Sequence, residues 1–210
     1  MCPTSAEKWT PRTAFHTMAG DENGDGQYWN PTLFGPIDAI YAPPPTAATA
    51  GGTDQRDVFW SVSAPIGNNI SATPFRPGDV ARIVRNTLGD GQVEHFMRQE
   101  QFNIALGLPP ATPIDVDAIA FGPNFGVYFS LDTDIFCPLL CGGTLVRDGD
   151  IVCVPPGALA YTPDLRIANA LPASAVVVYT EAQVDAMVVA AGVTNRFGAC
   201  ISVGIDLEAL

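Results

Sequence analysis

The stretch PFRPGDVARI (74–83) is the most informative about the fold, because a close copy of it, LVRDGDIVCV, occupies residues 145–154. In both copies an arginine, a glycine and an aspartate precede a run rich in β-branched residues, which is typical of a turn that leads into a strand. We expect the glycine to take a positive φ and the aspartate to bond its own backbone. The turn aspartates, Asp79 and Asp150, are 71 positions apart.

A second pair of similar stretches occurs in the same order, DVFWSVS at 57–63 and GVYFSLD at 126–132. Alternation of residue types and a high content of β-branched and aromatic residues predict a strand in each. Ser61 and Ser130 are the matching serines, 69 positions apart. Two markers at nearly one spacing indicate a tandem repeat.

A third marker has an aspartate inside an apolar run and appears as IDAI (37–40), DVDAI (115–119) and QVDAM (183–187). Its aspartates are Asp38, Asp117 and Asp185. A catalytic acid is needed once, whereas these recur with their units, and a buried carboxylate without a partner is costly. We therefore interpret them as structural aspartates that cap backbone N–H groups. The alternative is that three units gather the three carboxylates around one cation.

The markers predict an all-β fold made of tandem antiparallel units with little helix. We place an N-terminal arm at residues 1–29 and one β domain at 30–205, with units at 30–109, 110–178 and 179–205, the third short and finishing in ACISVGIDLEAL (199–210). Because one unit cannot bury its own apolar face, we expect a propeller-like, prism or sandwich body. The best helical pattern is 93–108, while 181–191 is ambiguous between helix and strand.

The order of these markers resembles a blade of a β-propeller. It is also similar to tandem repeat segments of predicted secreted bacterial proteins, in which an aspartate–alanine strand leads to FSL or FSV and then to GDI or GDV. The resemblance covers residues 30–205. It implies a secreted, repeat-built β protein and brings no particular activity with it.

Charge narrows the classes of partner. The chain has 22 acidic and 10 basic residues and a net charge of −12, which repels nucleic-acid phosphates and anionic lipid head groups. No apolar stretch is long enough to span a bilayer, so we expect no membrane insertion. The N-terminus lacks the apolar segment of a signal peptide, yet the acidic, lysine-poor, Gly/Pro-rich composition favours an extracellular or cell-surface location.

Five cysteines allow three interpretations. They are Cys2, Cys137, Cys141, Cys153 and Cys200. Disulfides 137–141 and 153–200 would suit an exported protein, and buried free thiols are the alternative. A four-thiolate zinc site is the third interpretation, although the chain lacks paired C-x-x-C spacing.

The sharpest local motif is DENGDG (21–26), which has the alternating oxygen ligands of a calcium loop. The candidate ligands are Asp21, Asn23, Asp25 and Gln27. Thr32 stands where an EF-hand has its bidentate glutamate, so a shorter loop that borrows a carboxylate, or a plain Asx-rich turn, are the options. Tyr28 and Trp29 follow the loop and are candidates for stacking on a glycan or for ordinary core packing.

The sequence thus favours a non-enzymatic structural or binding module, extracellular or on the cell surface and supported by calcium. A glycan or cell-surface component is the expected partner, and a homo-oligomer is compatible with it. One alternative is a polysaccharide-active enzyme on a propeller-like scaffold, which would use paired carboxylates such as Asp115 and Asp117. Another is a self-assembling surface or fibre subunit. No nucleophile-elbow or phosphate-loop motif occurs.

Overall fold

A computed structural model describes eight parts of the chain: residues 37–41, 58–63, 65, 75–85, 91–122, 125–140, 142–163 and 165–191. These parts contain twelve strands and two α-helices. Every strand pairing in them is antiparallel. The prediction of a mostly β fold with little helix is confirmed.

The first sheet is a four-stranded meander. Its strands are β1 (Ile37–Tyr41), β2 (Val58–Val62), β3 (Val80–Arg85) and β4 (Gly91–Met97), in the order β1-β2-β3-β4. Helix α1 (Gln99–Leu106) follows β4 after one residue. The predicted helix over 93–108 is therefore wrong in its first part, because Val93 to Met97 pair with β3 and the helix begins only at Gln99.

The second sheet has the same sequential order with two insertions. Its strands are β5 (Val116–Phe121), β6 (Val127–Leu131), β9 (Ile151–Val154) and β12 (Val176–Tyr179), in the order β5-β6-β9-β12. Helix α2 (Glu181–Ala190) follows β12. The insertions are two small hairpins, β7 (Ile135–Cys137) with β8 (Thr144–Val146), and β10 (Leu159–Tyr161) with β11 (Ile167–Ala170).

The two helices begin in the same way. In α1 the backbone N–H of Arg98 donates to Oε1 of Gln101 at 2.6 Å, and in α2 the N–H of Thr180 donates to Oε1 of Gln183 at 2.9 Å. A side chain that reaches back to the residue before the helix stabilises the first turn. Gln101 and Gln183 therefore hold corresponding positions.

The matching helix starts show that QVDAM (183–187) lies in a helix, unlike IDAI and DVDAI. Asp185 lies in α2, two residues after Gln183, as Asn103 lies in α1, two residues after Gln101. Asp38 and Asp117 instead lie in the first strand of each sheet. QVDAM thus corresponds in position to the helical QFNIA (101–105), and its likeness to DVDAI does not reflect a shared strand position.

One hydrophobic core joins the two sheets. Strand β5 lies against β1 and β2. The ring of Phe121 on β5 is 4.5 Å from that of Phe59 and 5.2 Å from that of Phe96 in the first sheet. On α1, Phe102 packs edge-on against Phe129 of β6, with ring centroids 4.8 Å apart. These aromatic pairs hold the second sheet on the first.

The two helices differ in how far they are covered. Helix α1 buries Phe102, Ala105 and Leu106, because the chain after β11 crosses it. There the N–H of Ala173 donates to the carbonyl of Ile104 at 2.9 Å. Helix α2 buries only Val184, and its Met187 and Val189 side chains are 48% and 56% exposed.

In the described ranges the sheets form neither a closed barrel nor a propeller. The propeller-like version of the fold prediction is thus not seen there. No helix in this part of the chain is long and apolar enough to cross a bilayer.

Replacing Phe102 with alanine should lower the free energy of unfolding by about 3–5 kcal/mol, because the ring is fully buried and its removal leaves a cavity beside Phe129. Urea unfolding followed by tryptophan fluorescence measures the change. The matched helix variant Met187→Ala removes an exposed side chain and should change the value by less than about 0.5 kcal/mol. Equal losses in both variants would contradict this packing.

Candidate functional site: the buried turn aspartates

The carboxylate of Asp79, which is 1% exposed, lies between a turn and a helix start. Its Oδ2 accepts a hydrogen bond from the backbone N–H of Arg76 at 2.8 Å, which closes the turn. Its Oδ1 accepts one from the backbone N–H of Gln99, the first residue of α1, also at 2.8 Å. A single carboxylate therefore joins the turn before β3 to the helix after β4, and its charge suits a helix N-terminus.

Side chains complete this cluster. Nη2 of Arg76 donates to Oδ1 of Asp79 at 3.1 Å and to Oε2 of Glu100 at 2.7 Å. Nε2 of His95 lies 3.6 Å from Oδ2 of Asp79, and the imidazole stacks on the ring of Phe75 at 4.0 Å. His95 is therefore a partly buried neighbour of the Arg76–Asp79 ion pair.

The surroundings of Asp79 keep it ionised. Burial by itself raises the pKa of the carboxyl group, but His95, Arg76 and the backbone N–H groups of Gln99 and Arg76 together lower that pKa to about 2. The hydrogen bond from Arg76 lowers the pKa of Glu100 as well. An acid held in this way accepts hydrogen bonds and is poorly suited to donate a proton near neutral pH.

Asp150 joins the corresponding turn and helix start in the second sheet. Its Oδ2 accepts from the N–H of Arg147 at 3.0 Å, and its Oδ1 accepts from the N–H of Glu181, the first residue of α2, at 2.7 Å. The arginine again approaches an acid of the first helical turn, with Nη1 of Arg147 3.8 Å from Oε2 of Glu181. Asp150 is 3% exposed. Both turn aspartates therefore combine a turn with a helix cap.

The turn glycines serve close packing. Neither Gly78 nor Gly149 has a positive φ, so that expectation is wrong. A Cβ on Gly78 would lie 2.7 Å from Cγ of Gln99, and one on Gly149 would lie 2.5 Å from Cγ of Glu181. The first residue of each helix rests directly on the turn, and glycine alone leaves the room.

A groove of about 540 Å³ opens beside the Asp79 cluster. Four prolines line it, together with the Arg76–Glu100 ion pair. The prolines are Pro65, Pro77, Pro110 and Pro113. Because the two charged groups already neutralise each other, the groove offers a largely apolar surface.

Other aspartates near the second R-x-G-D turn bond the backbone of that turn. Oδ1 of Asp134 accepts from the N–H of Asp148 at 3.1 Å, and Oδ1 of Asp148 accepts from the N–H of Gly149 at 2.8 Å. Asp115 and Asp117 flank the first residue of β5, and Asp117 is buried. In the described ranges no three His, Cys, Asp or Glu side chains converge to hold a metal ion.

Cys137 and Cys153 are both buried free thiols, so the structure does not support the disulfides predicted for them. Burial raises the pKa of Cys137 to about 11, which keeps the thiol protonated and unreactive. Their predicted partners, Cys141 and Cys200, lie outside the described residues.

The predicted calcium and glycan residues also lie outside the described residues. They are Asp21, Asn23, Asp25, Gln27, Tyr28 and Trp29.

Comparisons with known proteins found no relatives: no protein-family model, no curated protein and no solved structure matches the chain.

It was not predicted from the sequence that the turn aspartates cap the starts of two helices, at Gln99 and Glu181. The signal for them is the glutamine at the third helical position, Gln101 in one helix and Gln183 in the other. In each helix the glutamine side chain accepts a hydrogen bond from the residue before the helix, which is one half of a capping box. That signal was hidden because Val93 to Met97 continue the helical pattern backward into a strand.

Asp79→Asn should lower the free energy of unfolding at pH 7 by about 2 kcal/mol, since the folded-state pKa lies below the ordinary value of 3.8. A depressed pKa contributes stability above the unfolded-state value, and this contribution is lost as the pH falls from about 4 to about 2. The difference between wild type and variant, measured by urea unfolding across this range, should therefore shrink. Asp132→Asn, at an exposed acid, is the control. A difference that stays constant down to pH 2 would contradict the ionic role of Asp79.

Proposed function

We propose that the two sheets are copies of one unit and that the chain is a non-enzymatic structural or binding module of extracellular or cell-surface type. Each unit is a four-stranded meander followed by a helix. In each, the aspartate of the R-x-G-D turn accepts a hydrogen bond from the first N–H of the helix. Shared topology and a shared contact at matching sequence positions support a tandem repeat.

The observation that most supports a non-enzymatic function is that the two turn aspartates bond the backbone and so stabilise the fold. Asp79 and Asp150 each accept hydrogen bonds from two backbone N–H groups, one in the turn and one in the helix. An acid that appears once per unit and makes the same bonds each time supports the fold of each unit. A catalytic pair would be expected once in the chain.

Calcium and a surface glycan are the ligands we propose for this module. The alternating oxygen side chains of DENGDG and the net charge of −12 both favour a cation. The adjoining Tyr28 and Trp29 would then present a rigid aromatic surface to a sugar or another cell-surface component.

Calcium at millimolar concentration should raise the melting temperature of the full chain, and chelator should reverse the rise, because the ion binds the folded state. The double variant Asp21→Ala/Asp25→Ala should lose the response, while Asp132→Ala, at an exposed acid elsewhere, should keep it. Differential scanning fluorimetry with metal analysis is the measurement. A melting temperature indifferent to both reagents would rule out the calcium loop.

A glycan array probed with the full chain and with Trp29→Ala tests the binding surface, with unchanged melting as the check on folding. Release of reducing ends from a polysaccharide, abolished in Asp115→Asn or Asp117→Asn, would favour the enzyme over the module.

A self-assembling subunit is the second candidate, and the β7–β8 hairpin favours it. Phe136 and Leu139 are 60% and 67% exposed there, next to the exposed Leu145. Large apolar side chains clustered on a surface mark contact sites.

If the hairpin mediates assembly, sedimentation velocity should show oligomers whose fraction increases with protein concentration. The variant Phe136→Ser/Leu145→Ser should reduce this association at least tenfold. Phe125→Ser, at an exposed phenylalanine in the turn between β5 and β6, should not. A monomer at all concentrations would exclude the assembly candidate.

A further inference from the structure

Strand β12 is the outer strand of the second sheet and is open to solvent. It pairs with β9 on one side, and no other strand of the described ranges pairs with it. Val176, Val178 and Tyr179 are 51%, 37% and 41% exposed. Because part of the backbone N–H and C=O groups of an edge strand turn away from the sheet, β12 offers hydrogen-bond donors and acceptors to a further strand.

The sequence of β12 favours pairing with such a strand. Its residues are VVVY, which include neither a charged side chain nor a proline, the residue types that commonly protect an open edge. β-Branched and aromatic residues also pack well across paired strands. The strand has only four residues, and its register against β9 shifts between Val177 and Tyr179, so we expect a weak contact.

Helix α2, which follows β12 after one residue, adds further uncharged surface. Its two acids, Glu181 and Asp185, are partly buried. Its exposed residues carry no charge, although the whole chain has a net charge of −12. They are Ala182, Gln183, Ala186, Met187, Val189 and Ala190. Two successive elements therefore expose side chains that are mostly apolar and uncharged, which is typical of a contact site.

The corresponding elements of the first sheet are covered. Five of the eight residues of α1 are buried, against one of the ten residues of α2. Strand β4, the counterpart of β12, contacts β11 of the second unit. Next to that contact, Nε of Arg166 lies 3.5 Å from Oε2 of Glu94 on β4. The covered edge thus carries a charged residue and the open edge carries none, which is the reverse of what exposure to water favours.

We propose that β12 pairs with β12 of a second copy of the chain, antiparallel across a two-fold axis. Such an axis brings the same strand from both copies together, so that one edge supplies both sides of the contact. Two copies of net charge −12 repel each other least where neither surface is charged, which favours this edge. The contact joins the two four-stranded sheets into one continuous sheet. It goes beyond the proposed function and does not involve the β7–β8 hairpin.

Sedimentation velocity and hydrogen exchange of the full chain, at protein concentrations up to about 1 mM, test the proposal. We expect a monomer–dimer equilibrium in which amide protection of residues 176–179 rises with the fraction of dimer, while protection of β4 stays constant. Val178→Lys and Val176→Lys should each weaken the dimer at least about tenfold, because each places two like charges near the two-fold axis. Unchanged melting temperatures check that both variants fold.

The matched control is Leu145→Lys, which makes the same change of charge at another exposed apolar residue and should leave the dimer unchanged. A monomer at every concentration would overturn the proposal. So would a dimer that Leu145→Lys weakens while the two valine variants do not, since this result would assign the contact to the β7–β8 hairpin. Complete protection of residues 176–179 in the monomer would also overturn it, because another segment of the same chain would then pair with the edge.

Discussion

The fold depends on a carboxylate that bonds two backbone N–H groups far apart in the sequence. In the first sheet Asp79 joins the turn at Arg76 to the helix start at Gln99, and in the second Asp150 joins Arg147 to Glu181. Each bond sets the position of the helix relative to the strand that leaves the turn. Glycine in the turn is required because the helix start rests on it. Helix α1, which this contact holds at the turn, places Phe102 against Phe129 in the core between the sheets.

The structural role of these aspartates bears on where a functional site can lie. Buried carboxylates that recur with the unit are engaged by backbone donors, and the pKa of Asp79 is held far below neutrality by the groups around it. Among the described residues, the exposed apolar side chains of the β7–β8 hairpin are a surface where binding can be sought.

Much of the β structure could be predicted because its signals are local. Alternation and β-branched content predict strands in the stretches that became β2, β3, β6 and β9, and all four are present. Errors arose where two structures share one pattern. QVDAM matches DVDAI in letters but lies in α2, and residues 93–97 have a helical pattern but pair with β3. Whether such a stretch forms a helix or a strand depends on its hydrogen-bond partners, which cannot be read from the sequence.

The mostly β class, the two R-x-G-D turns and the likeness of the stretches around Ser61 and Ser130 can be recognised from the sequence, because turn chemistry and strand periodicity depend on neighbours along the chain. The roles of these residues follow from their contacts in the folded chain. Asp79 became a helix cap because Gln99, 20 positions later, returns to the turn. Cys137 and Cys153 became buried thiols, since packing and not composition sets which groups meet. Contacts between residues distant in sequence decided the role of each of these side chains.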